Sequence, residues 1–296
     1  MYLPNDKHVE NRLLVPAPIP LVAGFVNRYI APLPIVNRLA LYRMYVLRKR
    51  ADAQPRRPSV TVVVPARNES GNIANILART PVMGSRTELI FVEGNSTDDT
   101  LATIERHLES YRGPLHLSLY RQPGKGKADA VREGFKYATG DVLMILDADI
   151  TVPPEDLPKF YDAMTLGIAD YVQGTRLVYP MEKEAMRFLN KLGNIGFSMV
   201  FSFILNQPIK DTLCGTKVLW SRDYARLVAN RAFFGDFDPF GDFDLILGAS
   251  KLNLKLIEIP IRYRDRTYGT TNISRFQHGW LLLKMSVFAA RKLKFV

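Results

Sequence analysis

The stretch "VLMILDADITVP", residues 142–153, decides the fold that we expect for this chain. An apolar run, Val142–Leu146, stops at two carboxylates, Asp147 and Asp149, which are separated only by Ala148. Burying an unpaired carboxylate is costly unless the group becomes neutral. Two carboxylates directly after a strand-like run therefore predict that this strand ends at the edge of the hydrophobic core.

The same order of elements occurs three times before this stretch. Apolar runs begin at "SVTVVV", "ELIFV" and "LHLSLY", and each is followed by a polar or glycine-rich turn and then by a helical pattern. Strands that alternate with helices predict an α/β fold, with a mostly parallel sheet and helices on both faces. Ligands bind beyond the carboxyl ends of such strands. We therefore expect the turns at Pro65–Glu69, Glu93–Asp98 and Asp147–Asp149 to lie together.

Composition narrows the class of protein. The chain has 296 residues, of which 47% are hydrophobic and 23% are charged, as in ordinary globular proteins. The single cysteine, Cys214, excludes an intrachain disulfide and fits a reducing compartment. Neither a signal-peptide pattern nor an uninterrupted apolar run of membrane-spanning length is evident. We expect a cytoplasmic protein with no nucleic-acid partner, and its oligomeric state stays open.

Charge and proline content divide the chain into three predicted parts. Residues 1–57 form a basic, Pro-rich extension with ten Lys/Arg against three Asp/Glu, a net +7 of the total +11. Residues 58–275 form the α/β domain, and residues 276–296 form an amphipathic C-terminal helix. Within the extension, "NRLALYRMYVLRKR" (37–50) predicts a basic helix. The extension and the C-terminal helix could bind peripherally to an anionic membrane surface on its cytoplasmic face. The alternative is that both pack on the α/β domain.

The paired carboxylates indicate a cation site. If the chain stays extended, Asp147 and Asp149 point the same way and repel each other unless a cation lies between them. Mg²⁺ and Mn²⁺ prefer such oxygen ligands and keep positions for substrate phosphates. The alternative is that one carboxylate caps the following helix. Upstream, Gly124–Lys127 opens a helix with glycines and lysines, which suits a diphosphate, although a flexible basic turn would look the same.

Two later segments carry further candidates. Asp242 and Asp244 precede a helical apolar pattern. Capping is the simpler interpretation of Asp242, and Asp244 would then lie inside the first turn. Arg262, Arg264 and Arg266 alternate around Tyr263. Arginines bind phosphate oxygens well, but an edge strand with solvated arginines would show the same alternation.

Taken in order, these motifs resemble the family 2 glycosyltransferases of GT-A fold, and among them the dolichyl-phosphate mannose synthases and related polyprenyl-phosphate glycosyltransferases. The resemblance runs from about residue 59 to about residue 275. The matching pieces are "VVVPARNESGNI", "VEGNSTDDT", "GKGKADAVREGF", "ATGDVLMILDADITVPPEDL", "VQGTR", "KDTLCGTKVL" and "IPIRYRDRTYGTTNIS".

The resemblance implies a nucleotide-diphospho-sugar donor and a Mg²⁺ or Mn²⁺ ion. With the residue patterns above, the metal ligands are predicted to be Asp147, Asp149 and Thr151. The predicted donor-binding residues are Pro65, Ala66, Arg67, Glu69, Glu93, Lys127, Asp147, Ala148, Asp149, Arg176 and Arg266. The chain departs from the family pattern at Gly94 and Asn95 in the second turn, and at Thr271 and Asn272 in the late loop.

The predicted activity is a metal-dependent, inverting sugar transfer. We favour a polyprenyl phosphate as acceptor, because "IPIRYRDRTYGTTNIS" resembles the polyprenyl-phosphate branch and the C-terminal tail could lie on a membrane. The oxygen of such a phosphate attacks without losing a proton. A hydroxyl of a glycan or small molecule is the alternative, and it requires a general base, for which Asp244 and then Asp242 are the candidates. A catalytically degenerate binding or scaffold protein is the alternative of another class. A nucleotidyltransferase is disfavoured, because "PARNES" replaces its Gly-rich loop.

Overall fold

The computed structural model describes residues 8–46, 57–176, 178, 188–231, 243–264, 268 and 275–295. The chain divides into two compact units. The first, which we call the sheet unit, comprises Ala53–Leu192 and Leu213–Ile273. The second, the terminal unit, comprises Met1–Asp52, Gly193–Thr212 and Ser274–Val296. No sequence signal indicated that residues 193–212 group with the two ends of the chain.

Nine strands are present in the described residues. They are β1 (His8–Arg12), β2 (Tyr42–Val46), β3 (Val60–Ala66), β4 (Thr87–Glu93), β5 (His116–Arg121), β6 (Val142–Ile145), β7 (Tyr171–Thr175), β8 (Lys217–Trp220) and β9 (Leu256–Pro260). Seven of them form the sheet of the sheet unit, in the order β5-β4-β3-β6-β8-β7-β9. The first four strands in this order are parallel, whereas β8 runs antiparallel to both of its neighbours.

The helices follow the strands as the sequence predicted. They are α1 (Val22–Phe25), α2 (Ile73–Arg79), α3 (Thr100–Ser110), α4 (Gly126–Tyr137), α5 (Leu157–Thr165), α6 (Phe188–Leu205), α7 (Ser221–Ala229), α8 (Phe243–Lys251) and α9 (Arg275–Ala289). Short 3₁₀ turns cover Val36–Leu39, Ser70–Asn72 and Pro154–Asp156, and π turns cover Val26–Ile30 and Ala290–Lys294.

Burial agrees with the position of β3 and β4 as interior strands of the sheet. Every residue of β4 is buried, and β3 is a run of valines that packs on both faces. Val62 and Val64 join the core that includes residues of α2 and α5. Val63 points to the other face, where Gly134 of α4 lies so close that an added Cβ would meet the valine methyls. The predicted α/β sheet with helices on both faces is confirmed.

In the terminal unit, one prediction was wrong. Residues 37–50 were expected to be helical, but Tyr42–Val46 forms a strand that pairs antiparallel with His8–Arg12, and residues 47–50 lie outside the described residues. Its residues are mostly aromatic or β-branched, and the long-range pairing overrides the local helical pattern. The predicted C-terminal helix coincides largely with α9 and the π turn after it.

Contacts around Phe295 join the beginning and end of the terminal unit. The Arg28 Nε donates a hydrogen bond to the Phe295 carbonyl at 2.9 Å, and the Tyr29 ring lies 5.8 Å from the Phe295 ring. The Phe203 ring of α6 approaches the same ring at 6.4 Å. Within the residues described, no helix combines the length and the apolar character needed to cross a membrane.

Candidate functional site

The turns after β3 and β4 are joined by hydrogen bonds at the carboxyl edge of the sheet. The Gly94 N–H donates to the Ala66 carbonyl at 2.8 Å, and the Thr97 N–H donates to Asn68 Oδ1 at 2.8 Å. Asn68 has a left-handed backbone with φ of 55°, a conformation that asparagine tolerates better than most residues. These bonds bring together the first two polar turns, as expected for the carboxyl ends of parallel strands.

Two predicted donor-binding acids, Glu69 and Glu93, support these turns. Glu93 is 4% exposed, and its Oε1 accepts a hydrogen bond of 2.5 Å from the Ser96 N–H. Glu69 Oε2 accepts one of 2.7 Å from Asn72 Nδ2. Glu93 therefore fixes the backbone of its own turn, which explains why it stands directly after a buried strand, whereas Glu69 holds the Asn72 side chain.

Gln122 connects the turn before α4 to this edge of the sheet. The sequence analysis did not predict a role for this residue. Its N–H donates to the Glu93 carbonyl at 2.9 Å, and its Nε2 donates to the Gly126 carbonyl at 3.2 Å, so it joins β4 to the start of α4. An added Cβ at Gly94 would lie 3.0 Å from Gln122 Oε1 and 3.1 Å from the Cβ of Arg67. The side chains around Gly94, a departure from the family pattern, thus leave little room for a larger residue.

The stretch that follows β6 is a turn, so the condition of an extended chain, under which Asp147 and Asp149 would point the same way, is not met. The Ile150 N–H donates to the Asp147 carbonyl at 3.2 Å, and Ile150 has a φ of 53°. This left-handed conformation is unfavourable for a β-branched residue and persists only where the surroundings enforce it. The relative orientation of Asp147 and Asp149 is therefore set by this strained turn.

Asp147 forms an ion pair with Lys127, which lies in the first turn of α4. The Nζ–Oδ1 distance is 2.5 Å, and about a quarter of each side chain is exposed (29% for Lys127 and 25% for Asp147). Gly215 lies against this ion pair, because an added Cβ there would collide with both the Asp147 oxygen and the Lys127 ammonium. The structure thus brings the glycine- and lysine-rich turn to the first carboxylate of the pair.

Asp149 is 8% exposed, and its Oδ1 accepts hydrogen bonds from Thr151, at 3.1 Å from the N–H and 2.8 Å from Oγ1. It therefore caps its own turn, and not the helix after Pro153, which was the alternative. No group of three His, Cys, Asp or Glu side chains that could hold a metal occurs in the described part of the chain. Two carboxylates and a hydroxyl nevertheless fit Mg²⁺ or Mn²⁺, because these ions take oxygen ligands and leave positions for phosphates and water.

Arg176 reaches the same site through Tyr263, a residue that was predicted only as a spacer between arginines. The Arg176 guanidinium lies 5.1 Å from the centre of the Tyr263 ring. Burial raises the pKa of Tyr263, as does the charge of Asp149, whereas Arg176 and a hydrogen bond with Thr151 oppose the shift. The phenol therefore stays protonated at neutral pH and can donate a hydrogen bond within the site.

The arginines on either side of Tyr263 point elsewhere. Arg262 and Arg264 are exposed, and both line a surface cleft with Glu155 and Lys159. The interpretation as solvated arginines therefore describes these two better than direct participation in the site. Arg266 lies outside the described residues, as do Thr271 and Asn272.

Asp244, the predicted general base, lies in the first turn of α8 and forms ion pairs with two arginines. Its Oδ2 is 3.3 Å from Arg132 and 3.5 Å from Arg231, and 14% of its side chain is exposed. Opposite charges stabilise the ionised form of a carboxylate, so these pairs would weaken if Asp244 took up a proton. Asp242, the second candidate, lies outside the described residues.

Comparison with known proteins identifies the family. The model of the family described as "Glycosyl transferase family 2" matches residues 61–224, more than half of the chain. The chain belongs to glycosyltransferase family 2. This glycosyltransferase is 33% identical to the dolichol-phosphate mannosyltransferase of Pyrococcus furiosus over 220 residues, which cover 72% of the chain and 59% of that relative. It is 28% identical to the dolichyl-phosphate hexose transferase of Haloferax volcanii over 221 residues, covering 74% and 89%.

Solved structures show that the glycosyltransferase has the GT-A fold. A mannosyltransferase from Pyrobaculum calidifontis, in complex with GDP-Man and Mn²⁺, matches with a TM-score of 0.50 and 24% identity, over 77% of this chain and 61% of that one. Glucosyl-3-phosphoglycerate synthase from Mycobacterium tuberculosis, in complex with Mn²⁺, UDP and its product, matches with a TM-score of 0.55 and 17% identity, over 80% of both chains. The predicted fold, family and enzyme class are confirmed.

Proposed function

We propose that this glycosyltransferase uses Asp147, Asp149 and Thr151 to hold a Mg²⁺ or Mn²⁺ ion that binds the diphosphate of a nucleotide sugar. The observations that carry the proposal are the ion pair of Asp147 with Lys127 and the hydrogen bond of Thr151 to Asp149, two residues further along the same turn. Asp147 already pairs with a cation and lies two residues from a second carboxylate. Such a carboxylate is suited to exchange its lysine partner for a metal ion. The Mn²⁺ in both structural neighbours supports this assignment.

We propose an inverting transfer, in which the acceptor oxygen displaces the nucleoside diphosphate from the anomeric carbon in one step. When bound, the cation neutralises charge that develops on the leaving diphosphate. Lys127 adds a second positive charge from the N-terminal turn of α4, and Arg176 adds a third. Tyr263 orients Arg176 against its ring and hydrogen-bonds with Thr151. Arg266 is proposed to contact the diphosphate from the late loop.

A polyprenyl phosphate is the proposed acceptor. The supporting observation is the environment of Asp244, whose ion pairs with Arg132 and Arg231 suit a structural anion better than a proton acceptor. A phosphate acceptor is already an anion at neutral pH and needs no base, whereas a hydroxyl acceptor does. The dolichyl-phosphate substrates in the names of the two relatives agree with this proposal. The chain spans 59% of the first relative's length.

The proposed test is a transfer assay with a panel of donors and two kinds of acceptor. The protein is incubated with GDP-, UDP- or dTDP-sugars and Mn²⁺, together with either a polyprenyl phosphate or an oligosaccharide. We expect sugar on the lipid phosphate with one donor class, and none when EDTA replaces Mn²⁺. Transfer only to the oligosaccharide would overturn the acceptor assignment. Absence of transfer and of donor hydrolysis in every combination would favour the scaffold alternative.

We further propose that the terminal unit lies on an anionic membrane surface. This unit contains fourteen Lys/Arg against four Asp/Glu, a net +10 of the chain's +11, so the sheet unit is nearly neutral. Of the 23 large apolar side chains that are exposed in the described residues, sixteen belong to the terminal unit. Basic charge together with exposed apolar surface is what binds a protein to an acidic bilayer surface.

Helix α9 provides the clearest example of this surface. It buries Leu282 and Met285, yet Trp280, Leu283 and Val287 on its other side are 46–60% exposed. The Lys284 ammonium lies 5.5 Å from the centre of the Trp280 ring. An amphipathic tryptophan beside a lysine suits the headgroup region, where the ring contacts acyl chains and the ammonium contacts phosphates.

A further inference from the structure

Lys217 is a charged side chain at the centre of the sheet. It is the first residue of β8, which lies between β6 and β7, and only 1% of it is exposed. An ammonium group without water is strongly unfavourable unless it is hydrogen-bonded and its charge is compensated. A buried lysine at this place in the fold therefore points to a specific task.

The Lys217 ammonium acts on the backbone of the loop that precedes β8. Its Nζ donates a hydrogen bond of 2.6 Å to the carbonyl of Cys214, three residues earlier. A charged donor makes this bond shorter and stronger than one between neutral groups. The side chain thus ties the loop of residues 214–216, which we call the 214–216 loop, to the start of its own strand.

The same loop is held on β7. The Gly174 N–H donates to the Thr216 carbonyl at 3.1 Å. The Cys214 sulfur packs directly on Gly174, where an added Cβ would lie 2.6 Å from it. Lys217 and Gly174 therefore fix the two ends of the loop and leave Gly215 between them.

Gly215 is the part of the loop that contacts the donor site. It lies against the Asp147 carboxylate and the Lys127 ammonium so closely that a methyl group would overlap both. A shift of the loop toward Asp147 would displace the carboxylate, and a shift away would remove the wall that confines it. The position of Gly215 therefore decides where Asp147 can lie.

The cross-strand register gives Lys217 a polar setting. Gln173 of β7 pairs with Lys217 on one side and with Glu258 of β9 on the other. The Gln173 Nε2 donates to Glu258 Oε1 at 3.0 Å. A lysine, an amide and a carboxylate thus stand in one row across three strands.

We infer that Lys217 is a positioning residue for the donor site, which holds Gly215 as the wall of the Asp147 carboxylate by anchoring the Cys214 carbonyl. The inference rests on the proposed function, because it takes Asp147 as a ligand of the cation. Residues that orient metal ligands from behind typically change metal affinity by ~10–100-fold when they are replaced.

The test compares Mn²⁺ binding by the full chain and two variants. Lys217→Met keeps the apolar stem but removes the donor, and Leu219→Met alters a buried residue on the same face of β8, two positions further along the strand. Free Mn²⁺ is measured by electron paramagnetic resonance during titration with the metal alone. We expect Mn²⁺ affinity to fall by ~10–100-fold in Lys217→Met and to stay within twofold of wild type in Leu219→Met.

A role in stability alone would give a different pattern. Lys217→Met would then unfold at lower urea concentration, yet its folded form would bind Mn²⁺ within twofold of wild type, and this result would overturn the inference. If Lys217→Met does not fold, the same test is made with Lys217→Gln and the same twofold limit. The neutral amide of glutamine is shorter and cannot reproduce the charged hydrogen bond. Wild type that binds no Mn²⁺ would instead refute the proposed function.

Discussion

Replacing Gly215 by alanine tests the geometry of the donor site with a single methyl group. Gly215 does not have positive φ, so alanine introduces no backbone strain there. Its Cβ would instead overlap the Asp147 carboxylate and the Lys127 ammonium, which are paired at 2.5 Å. The substitution should therefore act on the site and not on the fold of the loop.

The expected magnitude follows from how the site can relax. Overpacking in a closed core costs about 1–3 kcal/mol, but the Asp147 side chain is 25% exposed and can swing outward, so we expect a stability loss of about 1 kcal/mol. Relieving the overlap displaces the carboxylate by roughly 1 Å, and a misplacement of that size costs about 10²-fold in rate. Activity should thus fall by far more than stability.

The assay measures kcat/KM for the donor at saturating Mn²⁺, together with urea unfolding. The matched control is Gly196→Ala in α6, where an added Cβ meets nothing within 4 Å. Alanine is the better helix former, so this control should keep full activity and gain up to about 1 kcal/mol of stability. A Gly215→Ala variant with at least one third of wild-type activity would refute the proposed arrangement of Asp147 and Gly215.

Three further outcomes are expected. Asp244→Asn should cost less than 10-fold in kcat and leave the acid limb of the pH–rate profile in place; a loss of about 10³-fold with disappearance of that limb would identify Asp244 as a base. Trp280→Asp should reduce flotation of the protein with anionic liposomes at low salt, whereas Val82→Asp on the sheet unit should not; equal flotation of both variants would contradict the proposed membrane surface. Arg79 donates a hydrogen bond to Glu155 and lowers the pKa of this carboxylate. The ionised Glu155 therefore stabilises the fold at pH values above its ordinary pKa, and this contribution is lost as the pH falls through the lowered pKa. Because Glu155 is 54% exposed, Glu155→Gln should cost at most about 1 kcal/mol in urea unfolding at pH 7, and its stability should converge with wild type in acid; a gap that persists below that range would contradict the ion-pair explanation.

The parallel half of the sheet was predictable from sequence because its signals are local. Each strand is a short apolar run, and a polar turn and a helix follow within a few residues. The strand β8 is different: it comes after α6 in the chain but inserts between β6 and β7. That placement depends on pairing between distant residues, as does the pairing of β2 with β1, and no local pattern encodes either of them.

Candidate site residues that belong to a sequence motif could be predicted. Residues that act only by positioning another residue could not. The paired carboxylates and Lys127 stood out by type and spacing. Alternating residues of an extended chain point to opposite sides. The alternation of Arg262 and Arg264 therefore implied that Tyr263 points away from them, so its place in the site could have been predicted. Lys217 carried no such signal, because its role depends on burial and on the carbonyl that it meets.

The measurement that tests the central claim most directly is metal-dependent transfer by Asp149→Asn. Asparagine keeps the size of the side chain and an oxygen that can accept the Thr151 hydrogen bonds, but it removes the charge that would bind the cation. We predict that the variant unfolds at the same urea concentration as wild type, and that its rate of sugar transfer at saturating Mn²⁺ falls at least 10²-fold. A rate within a few-fold of wild type would contradict the assignment of Asp149 to the cation site, and with it the proposed mechanism.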